Sequence, residues 1–237
     1  TQDRGATGTA APRAASPQVF VNTPDTDPVL PANRAWAKQI IGRIADSQLG
    51  IELADASIVN SIKGIDEAVQ RAVGAAEGWA AMPAAERAEI LHRVGAELEA
   101  RRADLLEVAA SETGKTLDQG DPEVSEAIDF AHYYAFQSLE LEKVDGARFV
   151  PSKLTVVTPP WNFPLAIPAG GVLAALASGS SVILKPATPA RRCGALLAEI
   201  MWDAGVPRDV LQLVNTPKRN VGQRLVSHPK VDRLILT

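Results

Sequence analysis

Asn162 stands in the segment Pro160-Trp161-Asn162-Phe163-Pro164, between prolines that stiffen the backbone on either side. A fixed amide N–H in a dry site is the kind of donor that stabilises a developing oxyanion. Asparagine also caps helices, and from the residues alone that role comes first. Downstream, Lys185-Pro186-Ala187-Thr188-Pro189 puts a cation directly after an apolar run. Its plain reading is a lysine snorkelling from a sheet edge.

Other reactive-looking residues carry less. Cys193, the one thiol, lies in a helical segment without an adjacent histidine and reads as buried structure rather than nucleophile. Gly114-Lys115-Thr116 resembles the end of a phosphate-binding loop. Ala109 stands where that loop needs glycine and no strand precedes it, which argues against ATP binding. The acids Asp25 and Asp27 fit turn and capping chemistry rather than a metal site, and His92, His132 and His228 are scattered.

The elements that must position these residues follow from a charge-free run, Leu154 to Leu184. Long uncharged runs are membrane-span candidates, but Pro159, Pro160, Pro164 and Pro168 cannot sit in one continuous helix. Cut at the prolines and at Ser178-Gly179-Ser180, the run becomes strand, helix, strand. Strands apolar on both sides belong to a parallel sheet covered by helices. The alternation continues, predicting strands near 154–158, 181–185, 210–214 and 232–236 and helices near 165–177, 190–204 and 219–227. Interleaved in this way, they indicate right-handed crossovers and a doubly wound α/β sheet, incomplete at its last strand. Such sheets bind ligands beyond the carboxyl ends of their strands. Those ends hold Thr158 to Asn162, Lys185 to Thr188, Asn215 to Lys218, and Thr237. Each unusual cluster therefore falls where a cofactor would lie, with Asn162 expected as a buried amide.

Upstream, residues 1–17 are small, polar and rich in Gly and Pro and read as a flexible linker. Residues 18–150 begin extended and turn-rich, then become helical from Pro31. Ile62, Ile65, Val69 and Val73 repeat at helical spacing. Pro83 is expected as the first residue of a long helix that Gly114 ends, and Asp121-Pro122 as the start of another. Residues 151–237 form the sheet portion. With 237 residues, 46% of them hydrophobic, the chain is long enough for a real core. A net charge of −4 gives no footprint for nucleic acid or an anionic membrane. A lone cysteine and no signal peptide point to a cytoplasmic protein.

Pro160-Trp161-Asn162-Phe163-Pro164, then Leu184-Lys185-Pro186-Ala187, then Gly222 and His228-Pro229-Lys230-Val231-Asp232 resemble the aldehyde dehydrogenase superfamily. The helical half fits too, through Glu86-Arg87-Ala88 and Glu112-Thr113-Gly114-Lys115. The block Asn22 to Pro28 with Pro31 to Trp36 is similar to the start of the L-glutamate γ-semialdehyde (1-pyrroline-5-carboxylate) dehydrogenase domain of bifunctional proline utilization A. Similarity covers nearly everything after the linker, but only the N-terminal half of such a domain.

The resemblance implies an NAD-binding fold and a small-molecule aldehyde substrate, oxidised in proline catabolism. It implies Asn162 as the oxyanion donor and Phe163 on the aldehyde pocket. Coenzyme would lie on Thr158, Pro159, Pro160, Trp161, Lys185, Ala187, Thr188, Gly222 and Thr237, with its diphosphate near the start of the helix carrying Gly222. Many members carry Glu where Thr188 stands. Threonine neither accepts strongly from a ribose 2′-OH nor repels a 2′-phosphate, so NADP stays an alternative to NAD. FAD is expected only if a proline dehydrogenase domain is fused upstream. The complete protein would be a homo-oligomer, and this chain alone inactive, because the family's catalytic Cys and Glu lie beyond Thr237. The alternatives are a dehydrogenase for succinic semialdehyde or betaine aldehyde, or a non-catalytic nucleotide-binding module.

Overall fold

A computed structural model describes residues 3, 4, 17 and 19–237 of the chain. The expected linker, residues 1–17, lies outside the described residues apart from Asp3, Arg4 and Pro17. Arg4 itself is anchored: it ion-pairs with Glu99, donates Nε to Thr26 Oγ1 at 3.1 Å, and gives its backbone N–H to Asn33 Oδ1 at 2.6 Å.

Four parallel strands form the described sheet: β1 (Leu154–Thr158), β2 (Ser181–Leu184), β3 (Leu211–Leu213) and β4 (Arg233–Leu236). Their spatial order is β3-β2-β1-β4. The chain steps outward from β1 to β3 and then returns to the far side of β1, so the order reverses between β1 and β4. That reversal opens a crevice at the carboxyl ends of these two strands. Asp232 ties the other end of the pair, accepting the backbone N–H groups of Lys153 (2.6 Å) and Leu154 (3.2 Å).

Strand side chains alternate between two apolar layers. Leu154, Val156 and Ile183 share one core with Ile65, Ala68, Val69 and Ala72 of α3 (Ile62–Ala81) and with Val221 and Leu225 of α9 (Arg219–Val226). Val157, Val182 and Leu184 face the larger core, built from α4 (Ala84–Ala100), α5 (Arg102–Thr113), α6 (Leu117–Glu140), α7 (Ala166–Ala177) and α8 (Arg191–Asp203). Full burial of each such side chain is worth roughly 1.5–3 kcal/mol, so the helical half is held to the sheet through both apolar layers, by α3 on one face and by α4 to α6 packed with α7 and α8 on the other. Two short helices, α1 (Pro31–Ile41) and α2 (Ile51–Ala56), lie at the periphery.

The α3 helix is legible residue by residue. Ser61 caps it, accepting Gly64 N–H at 3.0 Å, its buried residues recur at helical spacing, and Met82-Pro83 ends it. The predicted strands and crossover helices agree with the structure to within one residue at their ends.

Two helical expectations need correction. Pro83 lies just before α4, and the segment from Pro83 to Gly114 is two helices, not one. The break is at Arg101 (φ −101°, ψ 19°), where consecutive arginines turn to different partners: Arg101 to Glu199 at 2.6 Å, Arg102 inward to Asp121 at 3.0 Å. The following helix starts at Leu117, not at Asp121-Pro122. Pro122 sits in the early part of α6, where its missing N–H costs one bond to the Asp118 carbonyl. Asp121 is occupied elsewhere, accepting from Thr26 and Arg102.

No helix among the described residues is long and apolar enough to cross a membrane, and they contain no group of three or more His, Cys, Asp or Glu that could hold a metal.

Candidate active site

The segment Pro159 to Leu165 leaves β1 at the crevice and leads into α7. Prolines at 159, 160 and 164 limit its backbone freedom. Asn162 is not the cap of the following helix. The N–H groups of Leu165 and Ala166 are taken instead by Glu123 Oε2, at 3.0 and 3.2 Å, from α6. No described residue hydrogen-bonds the Asn162 side chain, so the fold makes no use of its amide.

The expectation of a buried amide is corrected: Trp161, Asn162 and Phe163 are all exposed. They lie at the rim of the sheet, past the last residue of β1, with Trp161 51% and Phe163 44% exposed.

Lys115 holds this segment from outside. Its Nζ donates to the Asn162 carbonyl at 2.8 Å, lies 4.2 Å from the centre of the Phe163 ring, and ion-pairs with Glu123. Lys115 and Glu123 side chains are only 9% and 3% exposed, so the pair works in a largely dry setting. Neither role is legible in the sequence: Lys115 reads as the end of a failed phosphate loop, and its one other signal is the Glu112-Thr113-Gly114-Lys115 resemblance.

A second group forms beyond β2 and β3. Lys185 is half-buried, its Nζ 3.4 Å from the neighbouring Pro186 carbonyl, and burial pushes its ammonium below the usual lysine range. Gly222, in the first turn of α9, lies against it. A side-chain carbon there would stand 2.9 Å from Thr216 Oγ1 and 3.7 Å from Lys185 Cε. Thr216 Oγ1 and Asn215 Oδ1 are shielded from solvent with no hydrogen-bond partner among the described residues. Lys185, Thr216 and Gly222 thus form a cradle with unused polar atoms and no room for a side chain at 222, which fits a polar, multiply hydroxylated ligand such as a dinucleotide. The sequence places Thr216 only within the Asn215 to Lys218 strand end, and the structure singles out its hydroxyl as part of the cradle.

The remaining predicted residues line the same rim without joining this cluster by hydrogen bonds. Thr158 gives its hydroxyl to the Ile235 carbonyl at 3.2 Å, across the β1–β4 reversal. Pro159 is buried, Pro160 and Ala187 are half-buried, and Thr188 and Thr237 are exposed.

Cys193 is fully buried, with its thiol pushed well up by burial and then by Glu112. Glu112 accepts the N–H groups of Arg192 and Cys193, both at 2.8 Å, and so caps α8 as Glu123 caps α7. A thiol held protonated at a helix start is structure, not nucleophile. A separate cavity of about 780 Å³, lined by Arg43, Glu107, Arg101 and Arg208 among others, contains none of the predicted site residues. Its charges are largely paired already, Arg43 with Glu107 and Arg101 with Glu199.

Residues 53–237 match the aldehyde dehydrogenase family. The chain is 32% identical over 219 residues to 1-pyrroline-5-carboxylate dehydrogenase 2 of Bacillus subtilis, an alignment covering 88% of this chain and 40% of that protein. It is 39% identical over 173 residues to the bifunctional protein PutA of Escherichia coli, covering 73% of this chain and 13% of that one. Among solved structures, proline utilization A from Corynebacterium freiburgense matches with a TM-score of 0.80 at 40% identity, over 92% of this chain and 21% of its own. A Thermus 1-pyrroline-5-carboxylate dehydrogenase with bound NAD matches with a TM-score of 0.81 at 25% identity, over 92% of this chain and 49% of its own. The chain spans 40% or less of these two curated relatives and under half of either solved chain.

Proposed function

Because this chain belongs to the aldehyde dehydrogenase family, we propose that it supplies the coenzyme cradle and the oxyanion donor of an enzyme oxidising L-glutamate γ-semialdehyde to L-glutamate in proline catabolism. The observation that carries this reading is an Asn162 amide left unused by the fold, on a proline-stiffened segment at the sheet's order reversal. The names of its relatives support the choice of aldehyde.

In this reading Asn162 donates its side-chain N–H to the oxygen of the aldehyde as a thiol outside residues 1–237 adds to the carbonyl. Phe163 presents a ring to the substrate. Lys185, Thr216 and the start of α9 around Gly222 hold the coenzyme, with Thr158 to Trp161, Ala187, Thr188 and Thr237 along its edge. NAD, when bound, supplies the hydride acceptor. The NAD-bound Thermus neighbour supports NAD as the coenzyme. A fused proline dehydrogenase domain, with its FAD, is part of the same proposal, supported by the PutA relatives, as are homo-oligomeric assembly and a cytoplasmic setting.

The test is aldehyde-dependent NADH formation. The 237-residue chain alone is expected to give none, and the complete dehydrogenase is expected to turn over glutamate γ-semialdehyde in preference to succinic semialdehyde or betaine aldehyde. Turnover by the 237-residue chain, or a preference for either rival, would sink the proposal.

Lys185 gives a pH-dependent prediction. A charge-assisted hydrogen bond is worth about 1.5–3 kcal/mol, so Lys185→Ala should weaken NAD binding roughly 10–100-fold. The ammonium is present at neutral pH and lost as pH rises through its depressed pKa. Coenzyme affinity should therefore fall at lower pH than an ordinary lysine near about 10.4 would give. Lys185→Arg, which stays charged, should remove that fall. Folding runs the opposite way, since between the two pKa values the unfolded chain holds more protons and stability rises with pH. Calorimetric titration of NAD across this range decides it, and a flat profile in the wild type would refute the role.

A further inference from the structure

The contacts of Lys115 go beyond an ordinary buried ion pair. One cation grips the carbonyl of residue 162 and the ring of residue 163, while its counter-ion Glu123 grips the N–H groups of the α7 N-cap, Leu165, and of its first residue, Ala166. Every residue from 162 to 166 except Pro164 is thus tied by main chain or ring to one pair of side chains. Neither side chain touches the Asn162 amide, and both hold the backbone from which it projects. An exposed amide on a loop would sample several poses. This one is carried by a backbone held on both sides by groups that are themselves buried.

We propose that Lys115 and Glu123 are positioning residues that set the pose of the Asn162 amide for the aldehyde oxygen, an inference that rests on the oxyanion role given to Asn162 above. Displacement of a donor by a fraction of an ångström from the developing oxyanion is enough to lose most of its effect, because the hydrogen bond must be preorganised. Lys115 supplies that preorganisation through a donor to a carbonyl, a contact over an aromatic face and a charge, all from one Nζ. Its neighbour Thr116 starts the turn into α6, the helix that carries Glu123, so the two halves of the clamp arise from one corner of the fold.

The test is a double-mutant cycle in the complete dehydrogenase. Lys115→Met should lower kcat by about 10–100-fold with the Kd for NAD unchanged, and Lys115→Arg should restore most of that loss. Asn162→Ala/Lys115→Met should be no slower than Asn162→Ala alone, since a residue acting through Asn162 has nothing left to position. A merely structural role would make the two losses multiply, and that result overturns the inference. Wild-type kcat in Lys115→Met beside a slow Asn162→Ala overturns it also, and leaves the oxyanion role standing. Wild-type kcat in Asn162→Ala overturns the oxyanion role itself and this inference with it. If Lys115→Met fails to fold because Glu123 is left buried and unpaired, Lys115→Met/Glu123→Gln serves in its place. Glutamine still accepts the Leu165 and Ala166 N–H groups, and the same non-additivity is expected.

Discussion

Asn162→Ala should lower kcat for aldehyde oxidation in the complete dehydrogenase by on the order of 10²–10³-fold, the loss typical of a removed oxyanion donor. It should leave folding stability within about 0.5 kcal/mol of wild type, as for a surface change away from caps and cores. The two halves of this prediction pull apart the two roles an asparagine can hold at this place. Were it a helix cap, the substitution would cost roughly 1 kcal/mol of stability and little rate. Glu123 already accepts the N–H groups that a cap would serve, and the Asn162 amide is exposed with no protein partner among the described residues. Steady-state kinetics beside thermal unfolding of the same sample read both quantities. A lowered Tm with kcat intact would reverse the assignment.

Arg102→Met should be the most damaging single change to the fold, at about 3–5 kcal/mol, the loss expected when one partner of a buried charge network is removed. Arg102 is 2% exposed. It donates Nε and Nη2 to Glu99 at 3.1 and 2.8 Å, and Nη1 to the Asp121 carbonyl (3.1 Å), the Asp121 carboxylate (3.0 Å) and Ser125 (3.1 Å). Methionine fills comparable space, so the loss would come from carboxylates stranded away from water rather than from a cavity. Glu99 keeps Arg4, and Asp121 keeps the Thr26 N–H and hydroxyl. Those contacts limit the damage without replacing a guanidinium. For a chain of this length each kcal/mol shifts the midpoint by roughly 2–4 °C, so a Tm fall on the order of 10 °C is expected. A fall of less than about 2 °C would mean that the remaining partners suffice.

The sheet was readable in the sequence because its strands are short and set apart by proline or glycine, and the first two, Leu154 to Thr158 and Ser181 to Leu184, are uncharged throughout. The rim was readable for a related reason: the unusual residues cluster where those strands stop. Long-range partners were not readable. Glu123 lies 42 residues from Leu165, and Lys115 lies 47 from Asn162. Nothing in local spacing couples residues so far apart. The break at Arg101 escaped because Arg-Arg-Ala-Asp is good helix-forming sequence, and only the separate partners of the two arginines bend it. Pro122 misled in the opposite sense, since a proline near a helix start is usually its first residue and here stands within the helix. The Asn162 amide was expected inside because its neighbours in sequence are apolar, whereas the segment turns outward once it has left β1.

The carboxylate caps bear on how far the sheet portion is a portable unit. Its first two crossover helices begin on N–H groups satisfied by Glu123 and Glu112, borrowed from the helices before the sheet and lying 42 and 80 residues away from the first N–H they cap. Residues 151–237 transplanted alone would start both helices with bare donors, would lose α3 from the smaller apolar face of the sheet, and would strip α4, α5 and α6 from the core they share with α7 and α8. The coenzyme cradle is therefore not a cassette to be moved between proteins. The cargo that travels with it includes Glu112 and Glu123 and the helices that aim them.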